Sequence, residues 1–138
     1  MTDTVSKKKR SEIMSKIRSK NTKPELAVRS ILHKNGLRFR IHRRDLPGTP
    51  DVVLPALRTI INVNGCFWHQ HRGCDKARMP KTRVGFWRDK FRLNDLRLRR
   101  ARRALKKLGW RVVEVWECET ADLVRLENKI MHKVARGC

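Results

Sequence analysis

Between Gly65 and Cys74 the chain reads Gly65-Cys66-Phe67-Trp68-His69-Gln70-His71-Arg72-Gly73-Cys74, and metal-ligand residues interleave there with two adjacent large aromatics. Cys66-x4-His71-x2-Cys74 places three soft or borderline donors in one turn-sized segment, a spacing suited to zinc. A closed structural site needs a fourth donor. Cys118 is one candidate, just past a strand that can end beside the strand leading into this loop, and Cys138 at the end of the chain is its rival. His69 is then free for other work, and a neutral imidazole titrating near operating pH can take a proton from an attacking water. Phe67 and Trp68 cannot both turn inward easily on a pinned loop, so they are expected to probe outward.

The elements that position this chemistry follow from the hydrophobic pattern. Thr59-Ile60-Ile61-Asn62-Val63 is a β-branched run that launches the loop from a buried strand, and Asp51-Val52-Val53-Leu54 is a second such run. Leu37-Arg38-Phe39-Arg40-Ile41 alternates apolar and basic, as a strand with one wet face does, and the breaker-rich turn Leu46-Pro47-Gly48-Thr49-Pro50 follows it. These three strands make a meander. A helix opens before them with Thr22 as cap, Pro24 and Glu25 in its first turn and Leu26, Ala27, Ile31 and Leu32 inward, and it stops near Gly36. From about Thr82 to Leu108 the pattern is helical, with Val84, Trp87, Phe91, Leu98, Ala101, Leu105 and Leu108 on the apolar stripe and Gly109 as the stop. A strand from Trp110 to Trp116, with both tryptophans read as core or sheet-face residues, leads to a capped amphipathic helix from Thr120 to about Val134. The order predicts an α/β sandwich around a mixed sheet.

With 138 residues the chain suits one domain. Its 35 Lys and Arg against 13 Asp and Glu give a net charge of +22. A field of that sign concentrates polyanions, and nucleic acid is favoured over an anionic membrane. No apolar run reaches the roughly 18 residues of a membrane span, and Met1-Thr2-Asp3 followed by Lys7-Lys8-Lys9-Arg10 lacks a signal peptide's apolar core. The expected compartment is the cytoplasm, where four cysteines read as ligands or core residues rather than disulfides.

The order of elements, together with Leu46-Pro47-Gly48-Thr49-Pro50-Asp51 and Asn64-Gly65-Cys66-Phe67-Trp68-His69, resembles the very short patch repair endonucleases, the Vsr family of T:G mismatch nickases. The resemblance runs from Met14 through Asn21-Thr22-Lys23-Pro24-Glu25, Phe86-Trp87 and Leu108-Gly109-Trp110-Arg111-Val112 to Trp116-Glu117-Cys118, nearly the whole chain. It implies a restriction-endonuclease-like αβββαβ core over residues 21–138 and a basic DNA-binding arm over residues 1–20. It also implies a magnesium-dependent, strand-specific nick at T:G mismatches left in double-stranded DNA by 5-methylcytosine deamination. The enzyme would be a nucleoid-associated monomer, with general mismatch-repair proteins and a repair polymerase as further partners.

Carried over by position, the resemblance makes Asp51 the carboxylate that bridges magnesium ions, assisted by the backbone carbonyl of Val63, where better-known members have Thr. Glu25 becomes a supporting active-site carboxylate, His69 the general base and Cys118 the fourth zinc ligand. Phe67, Trp68 and Trp87 match a wedge entering the major groove, and Met14 a residue inserting from the minor groove. Without the resemblance, Asp51 reads as a turn-capping acid, Glu25 as a favourable helix N-terminal charge, and Trp87 as a core residue of its helix.

Two positions depart from the family pattern. Asn64 stands where His is frequent; it can hydrogen-bond phosphate or water but cannot carry a proton. Leu98 stands where an Asp usually orients the catalytic His, and Asp95, three residues earlier on the same helix, is expected to replace that carboxylate in part. The alternative function is a non-catalytic zinc-containing module that binds nucleic acid through charge and stacking.

Overall fold

The computed structural model describes residues 22–135. The basic arm with Met14, and Cys138, lie outside the described residues. Thr22 caps helix α1 (Lys23–Lys34), its hydroxyl accepting from the Glu25 amide at 3.4 Å, with Pro24 in the first turn. Strands β1 (Arg40–Ile41), β2 (Val52–Leu54) and β3 (Thr59–Asn64) pair antiparallel as the predicted meander. Helix α2 (Val84–Lys107) then crosses over, as a parallel connection requires, and β4 (Arg111–Trp116) runs parallel to β3. Helix α3 (Leu123–Ala135) closes the chain.

The sheet, ordered β1-β2-β3-β4, is the middle of three layers. On one face Val28, Ile31 and Leu32 of α1 and Leu126, Ile130 and Val134 of α3 meet Val52, Leu54, Ile61, Val113 and Val115. On the other, Leu105 of α2 packs on Val53 and Ile60, with Leu46, Trp110 and Val112 around them. Coverage on both faces explains why β2 and β3 are nearly continuous apolar runs.

Four sequence expectations are corrected. The first strand is shorter than Leu37–Ile41, because only Arg40 and Ile41 pair with β2 while Leu37 and Phe39 pack against the core. In α1 the inward face is shifted: Leu26 is 49% exposed and Val28 is fully buried, which puts Glu25, 4% exposed, on the buried stripe. Along α2 the ends of the stripe, Val84 and Leu108, are exposed, and burial is confined to Phe91 and Leu105. The last helix starts at Leu123 rather than Thr120. Residues Glu117–Ala121 form a 3-10 turn in which the Thr120 hydroxyl donates to the Glu117 carbonyl at 2.7 Å, and Asp122 instead accepts from the Arg125 amide at 3.1 Å.

The turn before β2 is pressed onto α2 at Gly48. Its φ is +74°, and a Cβ there would lie 2.5 Å from the Ala101 Cβ. Gly48→Ala therefore combines a left-handed backbone with a clash against a packed helix, and is expected to cost about 1–3 kcal/mol. Thermal denaturation measures the loss, and DNA cutting should fall with it because Asp51 follows this turn.

Candidate functional site

Among the described residues Cys66, His71, Cys74 and Cys118 come together as one Cys/His cluster, while the rival Cys138 lies outside them. Donor atoms of Cys66, His71, Cys74 and Cys118 lie within 4.8 Å of one another. Nδ1 of His71 is 3.7 Å from the Cys66 Sγ and 3.4 Å from the Cys118 Sγ. A sulfur and a nitrogen sharing a tetrahedral zinc, with bonds of about 2.3 and 2.0–2.1 Å, stand about 3.6 Å apart, so the donors fit such an ion. The parallel pairing of β3 and β4, which sets Asn64 beside Trp116, brings the chain ends carrying Cys66 and Cys118 together. Cys66 is buried, and burial pushes its thiol above the ordinary range, so metal binding must displace protons there. Trp116 stacks on His71, with centroids 4.0 Å apart and planes at 6°, and fixes the ring's orientation. That role was not visible in the strand pattern.

The loop is tied internally, with the His69 amide donating to the Gly65 carbonyl at 3.1 Å and the His71 amide to the Cys66 carbonyl at 3.0 Å. It is tied to α2 by Asn94, whose side-chain amide donates to the Trp68 carbonyl at 3.2 Å. This places His69 over a cavity of about 680 Å³ whose lining includes Asp51, Val63, Asn64, Asn94, Arg97 and Leu98. Asp51 stands at the head of β2, its Oδ2 accepting from the Val63 amide at 2.8 Å. Burial, with a contribution from neighbouring Glu25, pushes its carboxyl up to about 6. A buried acid held this way is stabilised by a cation.

Two polar atoms at the same cavity are buried with no hydrogen-bond partner among the described residues: Nδ2 of Asn64 and Nδ1 of His69. Burial lowers the His69 pKa and keeps the imidazole neutral, while Asp95 and then Glu114 pull the other way. Asp95 is half-exposed and paired with Arg99 at 3.0 Å; Glu114 is paired with Arg102 at 2.6 Å.

Phe67, Trp68 and Trp87 come together as a half-buried cluster. Phe67 meets Trp68, Trp87 and Phe91 edge-on at 5.2, 5.4 and 5.2 Å, and Phe86, 49% exposed, extends the group through Trp87. The rings pack against one another and α2 rather than pointing freely outward, so Trp87 serves both the helix stripe and the cluster.

Glu25 lies behind Asp51 rather than at the cavity. Its Oε2 accepts from Arg29 at 3.0 Å and lies 3.0 Å from Nε2 of His42. Glu25, His42 and Asp51 form a second group whose potential ligand atoms lie within 4.8 Å of one another. His42 was missed in the sequence, although a Glu on the buried stripe of α1 signals that a partner must exist.

A mixed sheet covered on both faces thus carries a cysteine-histidine cluster and a buried acid beside an aromatic group. The family model described as DNA mismatch endonuclease Vsr matches residues 2–76. The chain is 51% identical over 130 residues to the type II nicking enzyme V.XorIIP of Xanthomonas oryzae pv. oryzae, covering 94% of this chain and 95% of that one. It is 42% identical over 131 residues to the DNA mismatch endonuclease Vsr of Escherichia coli K12, covering 95% and 83%. It is also 42% identical over 119 residues to the type II nicking enzyme V.NmeAIP of Neisseria meningitidis serogroup A, covering 86% and 84%. The chain belongs to the Vsr family of DNA mismatch endonucleases. Among the described residues no helix is long and apolar enough to cross a membrane.

Proposed function

We propose that this protein nicks one strand of double-stranded DNA beside a T:G mismatch, using magnesium, and so opens repair of deaminated 5-methylcytosine. The observation that carries the reading is the convergence of Asp51, Asn64 and His69 on one cavity beside the aromatic cluster. Asp51, with the Val63 carbonyl, holds magnesium, which when bound neutralises charge developing on the phosphoryl oxygens. The His69 imidazole, kept neutral by burial, takes the proton of the attacking water. Asn64 donates its partnerless Nδ2 to a phosphate oxygen or water. Glu25 supports Asp51 from behind. A zinc ion on Cys66, His71, Cys74 and Cys118 holds the loop.

Phe67, Trp68 and Trp87 select the mismatch. Stacking a base on an aromatic ring contributes about 1–3 kcal/mol, and opening a base step costs a few kcal/mol, least at a mismatch. The sum is near zero for paired DNA and favourable where pairing is already weak. Residues 1–20 act as a basic arm, with Met14 entering from the minor groove and residues 21–138 forming the endonuclease domain. The protein works as a monomer in the cytoplasm, associated with the nucleoid, and hands its nick to a repair polymerase and general mismatch-repair proteins.

Asp95 supplies part of the charge that Leu98 cannot. Asp95→Asn is expected to lower the nicking rate roughly three- to tenfold, the worth of one screened charge near His69; an unchanged single-turnover rate removes Asp95 from the account. The proposal as a whole is tested with a duplex carrying one T:G pair, incubated with magnesium or with EDTA. One strand should be cut, with magnesium only. Tight binding without any cut identifies a non-catalytic binding module instead.

A further inference from the structure

Three candidate ligands meet behind the cavity, two carboxylates and an imidazole, and the imidazole has no part in the function just described. His42 follows β1 with φ +47°, a left-handed conformation uncommon for a residue with a Cβ. Its amide donates to the Asp51 carbonyl at 3.2 Å, which locks it to the residue that opens β2. The side chain is 16% exposed, and its Nε2 stands 3.0 Å from the Glu25 Oε2. Two neighbouring ligands on an octahedral cation with bonds of about 2.1 Å are about 3.0 Å apart, so this pair already has the spacing of a shared ion. Asp51 completes the group within 4.8 Å, and only its Oδ2 is engaged by a hydrogen bond among the described residues.

A structural ion pair accounts for less of this. Arg29 already neutralises Glu25 at 3.0 Å and is almost as buried as its partner. A second partner that is an imidazole, held between two carboxylates, adds a nitrogen lone pair to an otherwise all-oxygen site. That changes which cations the site prefers: oxygen donors suit magnesium, while imidazole raises affinity for first-row transition ions.

We propose that His42 is a direct ligand in the cation centre of Asp51 and Glu25, and that it makes this centre bind Mn2+ more tightly than Mg2+. The inference rests on the reading of Asp51 as the cation-holding carboxylate. His42 thus sets the metal preference of the enzyme, and His69 on the far side of the cavity keeps its separate task.

The test uses the full chain with its thiolate cluster filled by zinc, titrated with Mn2+ and followed by electron paramagnetic resonance. The wild type should show one tight Mn2+ site with a nitrogen coupling from a directly bound imidazole. His42→Asn, whose side chain tolerates the left-handed backbone, should lose the nitrogen coupling and bind Mn2+ about tenfold or more weakly. Its affinity for Mg2+ should change much less. His42→Gln is the second variant, and His69→Gln should leave the coupling in place. A wild-type site without nitrogen coupling, or a coupling and affinity that survive in both His42 variants, overturns the proposal. Mn2+ binding that persists in Asp51→Asn would instead overturn the underlying assignment of the cation to Asp51.

Discussion

Stripping the metal from the Cys66, His71, Cys74 and Cys118 cluster is expected to reduce DNA cutting by at least about a hundredfold while the sheet remains folded. The reasoning separates two sets of contacts. The larger core of Val28, Leu32, Ile61, Val115, Leu126 and Ile130 is built without any residue of the loop, so it survives. The loop itself is held to the rest by the four donors, the Trp116 stack on His71, the Asn94 bond to the Trp68 carbonyl, the Cys66 amide bond to Glu117 and the packing of Phe67 on Trp87 and Phe91. Without an ion, four buried or half-buried donors have no common partner, and His69 and Trp68 lose their positions together. A strong chelator under reducing conditions should release one zinc per chain by atomic absorption. Tryptophan fluorescence should change, far-UV circular dichroism should change little, and the melting temperature should fall. Cys118→Ser should reproduce the effect. Full cutting by metal-free protein would mean that the cluster does not hold the loop.

Asp51→Asn is expected to abolish cutting, by a factor of about a thousand or more, and at the same time to make the protein more stable. The folded pKa of Asp51 is raised from 3.8 to about 6, so the folded chain holds this proton more tightly than the unfolded chain does. As pH rises from about 4 to 6 the unfolded chain ionises first, and stability falls; above about pH 6 the full penalty stands. A shift of this size corresponds to about 2–3 kcal/mol at neutral pH. Asn keeps the shape and can still accept from the Val63 amide but carries no charge. Its melting temperature at pH 7 should rise by roughly 5 °C or more for a domain of this size. Below about pH 3 the gain should vanish, because Asp51 is then protonated in both states. Magnesium should stabilise the wild type and not the variant. Equal melting temperatures at pH 7 would show that Asp51 is not a strained, cation-seeking acid.

Much of this site was legible because its signals are local. Cys66, His71 and Cys74 sit within one turn, so spacing alone suggests a metal, and Cys118 follows from the parallel pairing of two runs that read as strands. Other features depend on the exact phase of an element or on contacts between distant segments. The turn signals around α1 marked its ends but not which residues face in, and the misplaced face hid the burial of Glu25 and hence its need for His42. His42 lies 17 residues away at the end of a strand only two residues long, where no periodicity marks it. Trp116 fits the strand alternation as a core or sheet-face residue, but the fold uses its ring to hold His71.

On the proposed function, the aromatic cluster beside Cys66 delivers weakly paired DNA to the Asp51 cavity. Single-turnover nicking rates on matched duplexes differing only in T:G against T:A, for the wild type and for Trp68→Ala, test it most directly. The wild type should cut one strand of the T:G duplex and leave the T:A duplex essentially intact, and Trp68→Ala should lose most of that preference. Equal rates on the two duplexes, or a preference untouched by removing Trp68, would show that the aromatic cluster does not select the mismatch.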